Sequence, residues 1–232
     1  MNTKTNSRAI IATIIAVLGT GSLLWLSLAL GQQHNKDLGL YFLYQLITLG
    51  ISLLVILSMW FTTGKKLHFL HRGNMSAPAT PVKLLGISAK DNWKRIGLTF
   101  LVAISLVTLV FLLVADGSDL GSVPLGSWAL AFAVAIPLSV VNAFNEEIIT
   151  RWTIAEGFTG KFARYAPWVS AVIFGSVHYF GIPGGLIGSL MAGFLAWFAT
   201  RSIQDTRGLG WAWLIHFAQD MLILTITIAV FI

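Results

Sequence analysis

Apolar residues run along this chain in blocks of about 20, and the polar stretches between most of them are short and sharply bounded. A helical block of that length spans the hydrocarbon layer of a bilayer. The blocks fall at roughly 9–30, 40–62, 96–115, 127–149, 167–181, 185–200 and 209–231. They predict an all-α, polytopic transmembrane helix bundle of about seven spans. The fifth and sixth blocks are short, so one of them tilts, stops inside the bilayer or begins earlier than its apolar run. Ser27-Leu28-Ala29 at the end of the first block resembles a signal-peptide cleavage site. That block is longer than the usual h-region, so an uncleaved anchor is expected.

Composition agrees with this pattern. Hydrophobic residues make up 56% of the 232 positions and charged residues 10%, mean hydropathy is +0.80, and soluble domains carry about 25% charge. Cysteine is absent, which excludes disulfides and thiolate metal sites and leaves the compartment unread from redox. A net charge of +6 raises nucleic acid as a partner. The positive residues lie in short loops beside apolar blocks, however, where they act as topology signals, and no nucleic acid is expected.

Lys4 and Arg8 precede the first block. Lys65, Lys66, Arg72, Lys83, Lys90, Lys94 and Arg95 follow the second, Arg151, Lys161 and Arg164 the fourth, and Arg201 and Arg207 the sixth. The alternate loops hold Lys36 with the acids Asp37, Asp116 and Asp119. The positive-inside rule therefore places the N-terminus inside and the C-terminus outside. The 63–95 loop, with Ser76, Pro78 and Pro81, is too short and polar to form a core of its own, and its basic residues suit an anionic lipid surface. The chain divides into N-terminal helices with this loop, 1–126, and a C-terminal bundle, 127–232.

The C-terminal bundle carries the chemistry. Glu146 and Glu147 are adjacent inside apolar surroundings, where an unpaired carboxylate is costly and an acid marks a functional site by default. Glu147 and Arg151 are spaced i and i+4, so on a helix the guanidinium holds that carboxylate ionised. Glu146 is rotated about 100° away, beside Asn142 and Thr150, and is the better placed of the two to act as a base near neutral pH. A Glu147–Arg151 pair alone would read as an ordinary ion pair at a cytoplasmic helix end; the unpaired Glu146 shifts the balance towards a site. His178 follows Phe174 by one turn, before a reversal marked by Gly181, Pro183, Gly184 and Gly185. His216 and Asp220 share a face of the last block, where the carboxylate can fix the imidazole tautomer. A self-satisfied polar pair bridging helices is the plainer account of those two.

Glu146, His178, His216 and Asp220 come from three separate blocks. They could hold one divalent metal such as zinc, or position a water without metal, and their spacing does not separate these. No cofactor is assigned, and the metal-free arrangement is preferred because no clustered ligand motif demands zinc. The tryptophans, among them Trp25, Trp60, Trp93, Trp128, Trp211 and Trp213, read as an interfacial belt. Gly188, Ala192 and Gly193 suit close helix packing. His34, His68 and His71 are expected to be solvated loop residues.

Glu146-Glu147-x-x-x-Arg151, Phe174-x-x-x-His178 and His216-x-x-x-Asp220, in that order over roughly 127–232, resemble the CPBP family. This family of intramembrane proteases includes CAAX prenyl endopeptidases and bacterial bacteriocin-processing or immunity proteins. The resemblance implies an intramembrane endopeptidase in which Glu146, aided by His178, activates a water. Glu147 and Arg151 would support the site, while His216 and the position of Asp220 face the developing oxyanion. That last position is more often asparagine in the family. An ionised aspartate accepts hydrogen bonds and cannot donate them, so Asp220 must be protonated, orient His216 or bind metal. Trp152 also replaces a commonly small residue. The resemblance further implies an integral, multi-pass protein of a bacterial plasma membrane whose partners are membrane lipids and a peptide or membrane-protein substrate, CAAX-like or leader-peptide in kind. Two other classes carry the same residues: a proton-coupled transporter, against which the lack of internal repeats speaks, and a catalytically inactive membrane scaffold or immunity protein.

Overall fold

The computed structural model describes residues 3–30, 37–181 and 184–232, without the side chains of 3–5 and 115–119. His34, Lys36 and Pro183, and the side chains of Lys4, Asp116 and Asp119, lie outside it. Helices account for the described elements: α1 (Thr3–Leu30), α2 (Leu38–Thr62), α3 (Trp93–Leu120), α4 (Leu125–Glu146), α5 (Thr153–Gly157), α6 (Ala166–Val177), α7 (Gly185–Thr206) and α8 (Gly210–Phe231). A π-helical turn, Glu147–Trp152, joins α4 to α5 without a break. Among the described residues, β-pairing is confined to two isolated bridges, Pro78 with Asn92 and Val82 with Ile87.

Six helical stretches among the described residues are long and apolar enough to cross a membrane, and the chain is an all-α polytopic bundle. The fifth expected span is the exception. Its helix, α6, has 12 residues and is about 18 Å long at 1.5 Å per residue, short of the ~30 Å hydrocarbon layer. The apolar run reads on through Tyr179 and Phe180, but the helix stops at Val177 and a 3₁₀ turn, His178–Phe180, takes over. The sixth block extends beyond its apolar run to Thr206. Helices α6 and α7 form an antiparallel hairpin whose closest approach is glycine against backbone: a Cβ on Gly175 would meet Ser189 O at 2.8 Å, and one on Gly193 would meet Ala171 O at 3.2 Å.

The basic loops converge at one end of the bundle. Asn74 N–H donates to Thr206 O at 2.7 Å, Leu209 N–H to His71 O at 2.7 Å, and Gly210 N–H to Arg72 O at 3.0 Å. Gly73 makes this docking possible: its φ is +76°, and a Cβ there would stand 2.5 Å from Thr206 O. Arg8 reaches Thr63 O at 3.2 Å, and Gln204 reaches Ala163 O at 2.8 Å. At the opposite end Ile228 and Ala229 pack with Leu38, Tyr41, Val123 and Trp128.

The 63–95 segment is therefore a cap pinned onto the bundle. Two acids outside the motif set hold it. Glu156, buried in α5, accepts from the backbone N–H of His68 (2.9 Å) and Phe69 (3.0 Å) and from His68 Nδ1 at 2.6 Å. Asp205 accepts from Thr80 N–H (2.8 Å), Thr80 Oγ1 (2.8 Å) and Trp93 Nε1 (2.9 Å). His68 is thus anchored rather than simply solvated, and His71 is fixed between His68 O and Gly73 N–H, both at 3.0 Å. Trp93 and Trp211 face inward as anchors of this cap, Trp211 donating to Met75 O at 2.9 Å, whereas Trp25 is exposed.

Removal of the Glu156 carboxylate leaves buried amides unpaired, at about 1–3 kcal/mol each. Glu156→Ala is expected to lower the melting temperature by several degrees and to open the cap to protease within 63–95; an unchanged digestion pattern would contradict this. At the start of α3, Ser88 donates its N–H and hydroxyl to Asp91, both at 2.8 Å, and Arg95 adds a bond at 3.0 Å. The backbone bond chiefly, then the hydroxyl, holds the Asp91 carboxyl below its ordinary range. With the folded value depressed, this contribution is complete above about pH 4, the ordinary aspartate value, and is lost as pH falls further.

Candidate active site

The helix that carries the glutamates changes pitch at them. From Glu147 to Trp152 the turn is π-helical, a widened i→i+5 turn that is common at functional sites. Side chains serve the displaced carbonyls: Thr150 Oγ1 donates to Glu146 O at 2.7 Å, Arg151 Nη1 approaches the same oxygen at 3.4 Å, and Thr153 Oγ1 donates to Ile148 O at 2.7 Å. Thr150 thus serves the Glu146 backbone rather than its carboxylate. This stretch is no frayed helix end at a membrane surface. Every residue from Glu147 to Phe158 is buried.

Glu147 is sealed inside, its side chain 1% exposed and that of Arg151 0%. Their ion pair measures 3.4 Å, as the spacing predicts. The guanidinium carbon also lies over the Phe174 ring, 3.5 Å from its centroid, which gives it a cation–π partner where water is excluded. Glu147 Oε1 in turn stands 2.8 Å from His216 Nδ1. The sequence left Asp220 as one candidate to fix the His216 tautomer. Instead Asp220 Oδ1 is 3.6 Å from Nε2, beyond a hydrogen bond, and Glu147 holds the ring through Nδ1. The carboxylate one helical turn away lost to one that is 69 residues distant in sequence.

Glu146 faces the other way, into a cavity of about 120 Å³. Its side chain is 19% exposed, more than Glu147, Arg151, His216 or Asp220. Oε2 lies 3.5 Å from His216 Nε2, and Oε1 lies 3.4 Å from Asn142 Nδ2. Asn142 Nδ2 also donates to Asp220 Oδ2 at 3.1 Å. His178 lines the same cavity; its Nδ1 stands 2.9 Å from Phe174 O and donates to it, so Nε2 keeps its lone pair. The shortness of α6 explains this depth. Residue 178 lies about 18 Å along that helix from its basic end, short of the ~30 Å that a full span needs. The apolar walls are Phe111, Leu112, Phe174, Met191, Leu195 and Ile223.

Residues 126–222 match the family model described as type II CAAX prenyl endopeptidase Rce1-like. Over this region the chain is similar to the CAAX protease family. No curated protein and no solved structure matches the chain. The six apolar helices among the described residues mark an integral, multi-pass membrane protein, and the similarity points to a protease. Every motif residue, from Glu146 to Asp220, falls inside the stretch that matches the CAAX protease model.

Among the described residues, no three His, Asp or Glu side chains stand together as a metal site, and a catalytic zinc needs three protein ligands. Other polar side chains at the site escaped the motif reading. Gln219 Nε2 donates to Thr108 Oγ1 at 3.1 Å in the cavity wall, and Gln45 of α2 donates to Asn142 Oδ1 at 3.0 Å. The signal for Gln45 was present in the sequence: Tyr41, Gln45, Thr48 and Ser52 form a polar stripe at helical spacing in an otherwise apolar span.

Proposed function

We propose that the protein hydrolyses peptide bonds with a water activated by Glu146. The observation that supports this most is the division of labour between adjacent glutamates. Glu147 is buried and committed to Arg151 and His216, while Glu146 opens onto the cavity, 3.5 Å from His216 and 3.4 Å from Asn142. A polar chamber is what intramembrane hydrolysis requires, because backbone in lipid must otherwise stay hydrogen-bonded. A cavity of about 120 Å³ has room for a few waters, each occupying about 30 Å³ in the liquid.

In this reading Glu146 accepts a proton from the water as the water oxygen bonds to the scissile carbonyl carbon, and His178 Nε2 accepts the water's other hydrogen bond. The carbonyl oxygen gains the electron pair and takes a hydrogen bond from His216, which Glu147 orients from behind. When the C–N bond breaks, the proton on Glu146 passes to the leaving nitrogen. The products are a carboxylic acid and an amine, and transfer of the acid's proton leaves a carboxylate and an ammonium. Membrane-associated peptides of the CAAX-like or leader-peptide kind are the proposed substrates; lipidation of the substrate is a family association that no residue here demands.

His178→Ala is expected to lower turnover of a verified substrate by about 10²-fold or more, within the range for a general acid–base partner, while the protein still accumulates in membranes. Full activity in that variant would remove His178 from the reaction. Asp220→Asn separates the metal-free chemistry from its alternative. An amide at 220 keeps an acceptor for Asn142 and gains a donor for the oxyanion, so activity should hold or rise. A loss of about 10–100-fold, together with inhibition of the wild type by chelator and rescue by one divalent ion, would contradict the metal-free reading.

A further inference from the structure

Helix α2 lies outside the stretch that matches the family model, yet one of its side chains is a single contact from the proposed base. Gln45 is 3% exposed, and its Nε2 donates to Asn142 Oδ1 at 3.0 Å. A primary amide has an acceptor end and a donor end. Because Gln45 occupies the acceptor end of Asn142, the donor end is turned to Asp220 Oδ2 (3.1 Å) and Glu146 Oε1 (3.4 Å).

The height of Gln45 is itself fixed. One and two turns further along α2, Thr48 Oγ1 accepts from Asn145 Nδ2 at 2.8 Å, and Ser52 Oγ donates to Asn145 Oδ1 at 2.9 Å. All three of these side chains are buried, so α2 and α4 are clipped together beside the glutamates. In an apolar span these polar groups have no water to fall back on, and each is retained only if its partner stays in place.

We propose that Gln45 is a positioning residue for Glu146, acting through Asn142: it sets the Asn142 amide so that one NH₂ group spans the carboxylates of Glu146 and Asp220. This rests on the reading of Glu146 as the base. Without the α2 donor, the Asn142 oxygen is unpaired in the protein interior and its amide is free to turn. The glutamate then loses the donor that holds it over the cavity. Misplacement of a reacting group by about 1 Å costs on the order of 10²-fold. The loss falls on the chemical step rather than on substrate binding.

The test uses full-length protein reconstituted in proteoliposomes and a peptide that the wild type cleaves. Gln45→Met keeps the side-chain length and removes the hydrogen bond. It is expected to lower kcat by about 10–100-fold with KM within about twofold of wild type. Gln45→Glu is expected to fall at least as far, since an ionised carboxylate opposes the Asn142 oxygen with no N–H to give. In an Asn142→Ala background, Gln45→Met should cost nothing further, because the two act as one unit. A kcat for Gln45→Met within twofold of wild type, or full additivity with Asn142→Ala, overturns the inference. If Gln45→Met fails to accumulate while Gln45→Asn accumulates with wild-type turnover per molecule, Gln45 serves folding and the inference is again overturned. Glu146→Gln, run alongside, separates the two levels. Its inactivity with an active Gln45→Met sinks this inference alone, whereas an active Glu146→Gln sinks the reading of the base itself.

Discussion

Glu146→Gln is expected to lower turnover by about 10²–10⁴-fold, the usual contribution of a positioned general base, while leaving the protein folded. The two expectations belong together. Among the described residues the Glu146 carboxylate stands 3.5 Å from His216 Nε2 and 3.4 Å from Asn142 Nδ2, both long contacts, so an amide of the same shape chiefly removes basicity. Membrane accumulation and melting temperature should match wild type. Because Asn142 and Asp220 lie beside it, the amide can still be accommodated with its oxygen towards Asn142 and its NH₂ towards Asp220 or the cavity. A variant that cleaves substrate at the wild-type rate would take Glu146 out of the chemistry. One that fails to fold would mean that the carboxylate is structural.

Arg151→Met should have the opposite signature, a loss of fold before any loss of rate can be read. Removal of the guanidinium leaves Glu147 as an uncompensated charge in a site from which water is excluded, and breaking a buried pair costs about 3–5 kcal/mol. That is a large fraction of the 5–15 kcal/mol by which native proteins are stable. The stacking over Phe174 at 3.5 Å is lost as well. Thermal unfolding in detergent and the amount of protein recovered from membranes would show it. The double change Glu147→Gln with Arg151→Met removes both charges and should recover much of the stability. It should not recover activity, because His216 then lacks the charged partner 2.8 Å from its Nδ1. Normal stability for Arg151→Met alone would mean that Glu147 is neutralised by another route.

How far the chain could be read from its sequence depended on whether the deciding contact was local. The Glu147–Arg151 pair was legible because four residues on any helix bring two side chains together, and it survives even though the turn between them is π-helical. The π turn itself was not legible. It is supported by the hydroxyls of Thr150 and Thr153 and by burial on every side, neither of which periodicity records. The same local rule offered Asp220 as one candidate to orient His216, but it did not show Glu147, which tertiary packing brings to 2.8 Å from Nδ1. The apolar blocks gave the spans well except at α6, where Tyr179 and Phe180 continue the hydrophobic run past the helix. Length in sequence overstated length in space. Glu156 and Asp205 went unread because an acid near a loop is ordinarily solvated, and only the folded chain turns each into the anchor of the 63–95 cap.

The most direct test of the central claim is a single turnover in H₂¹⁸O, with enzyme in excess over a membrane peptide and the cleaved fragments weighed by mass spectrometry. Attack by a Glu146-activated water predicts one ¹⁸O in the new C-terminal carboxylate from the first turnover, and fragments formed about 10²–10⁴-fold more slowly with Glu146→Gln. Unlabelled C-termini in that first turnover would mean that a protein carboxylate had supplied the oxygen, and labelled fragments formed equally well by Glu146→Gln would mean that the water is activated elsewhere. Either result would contradict the account.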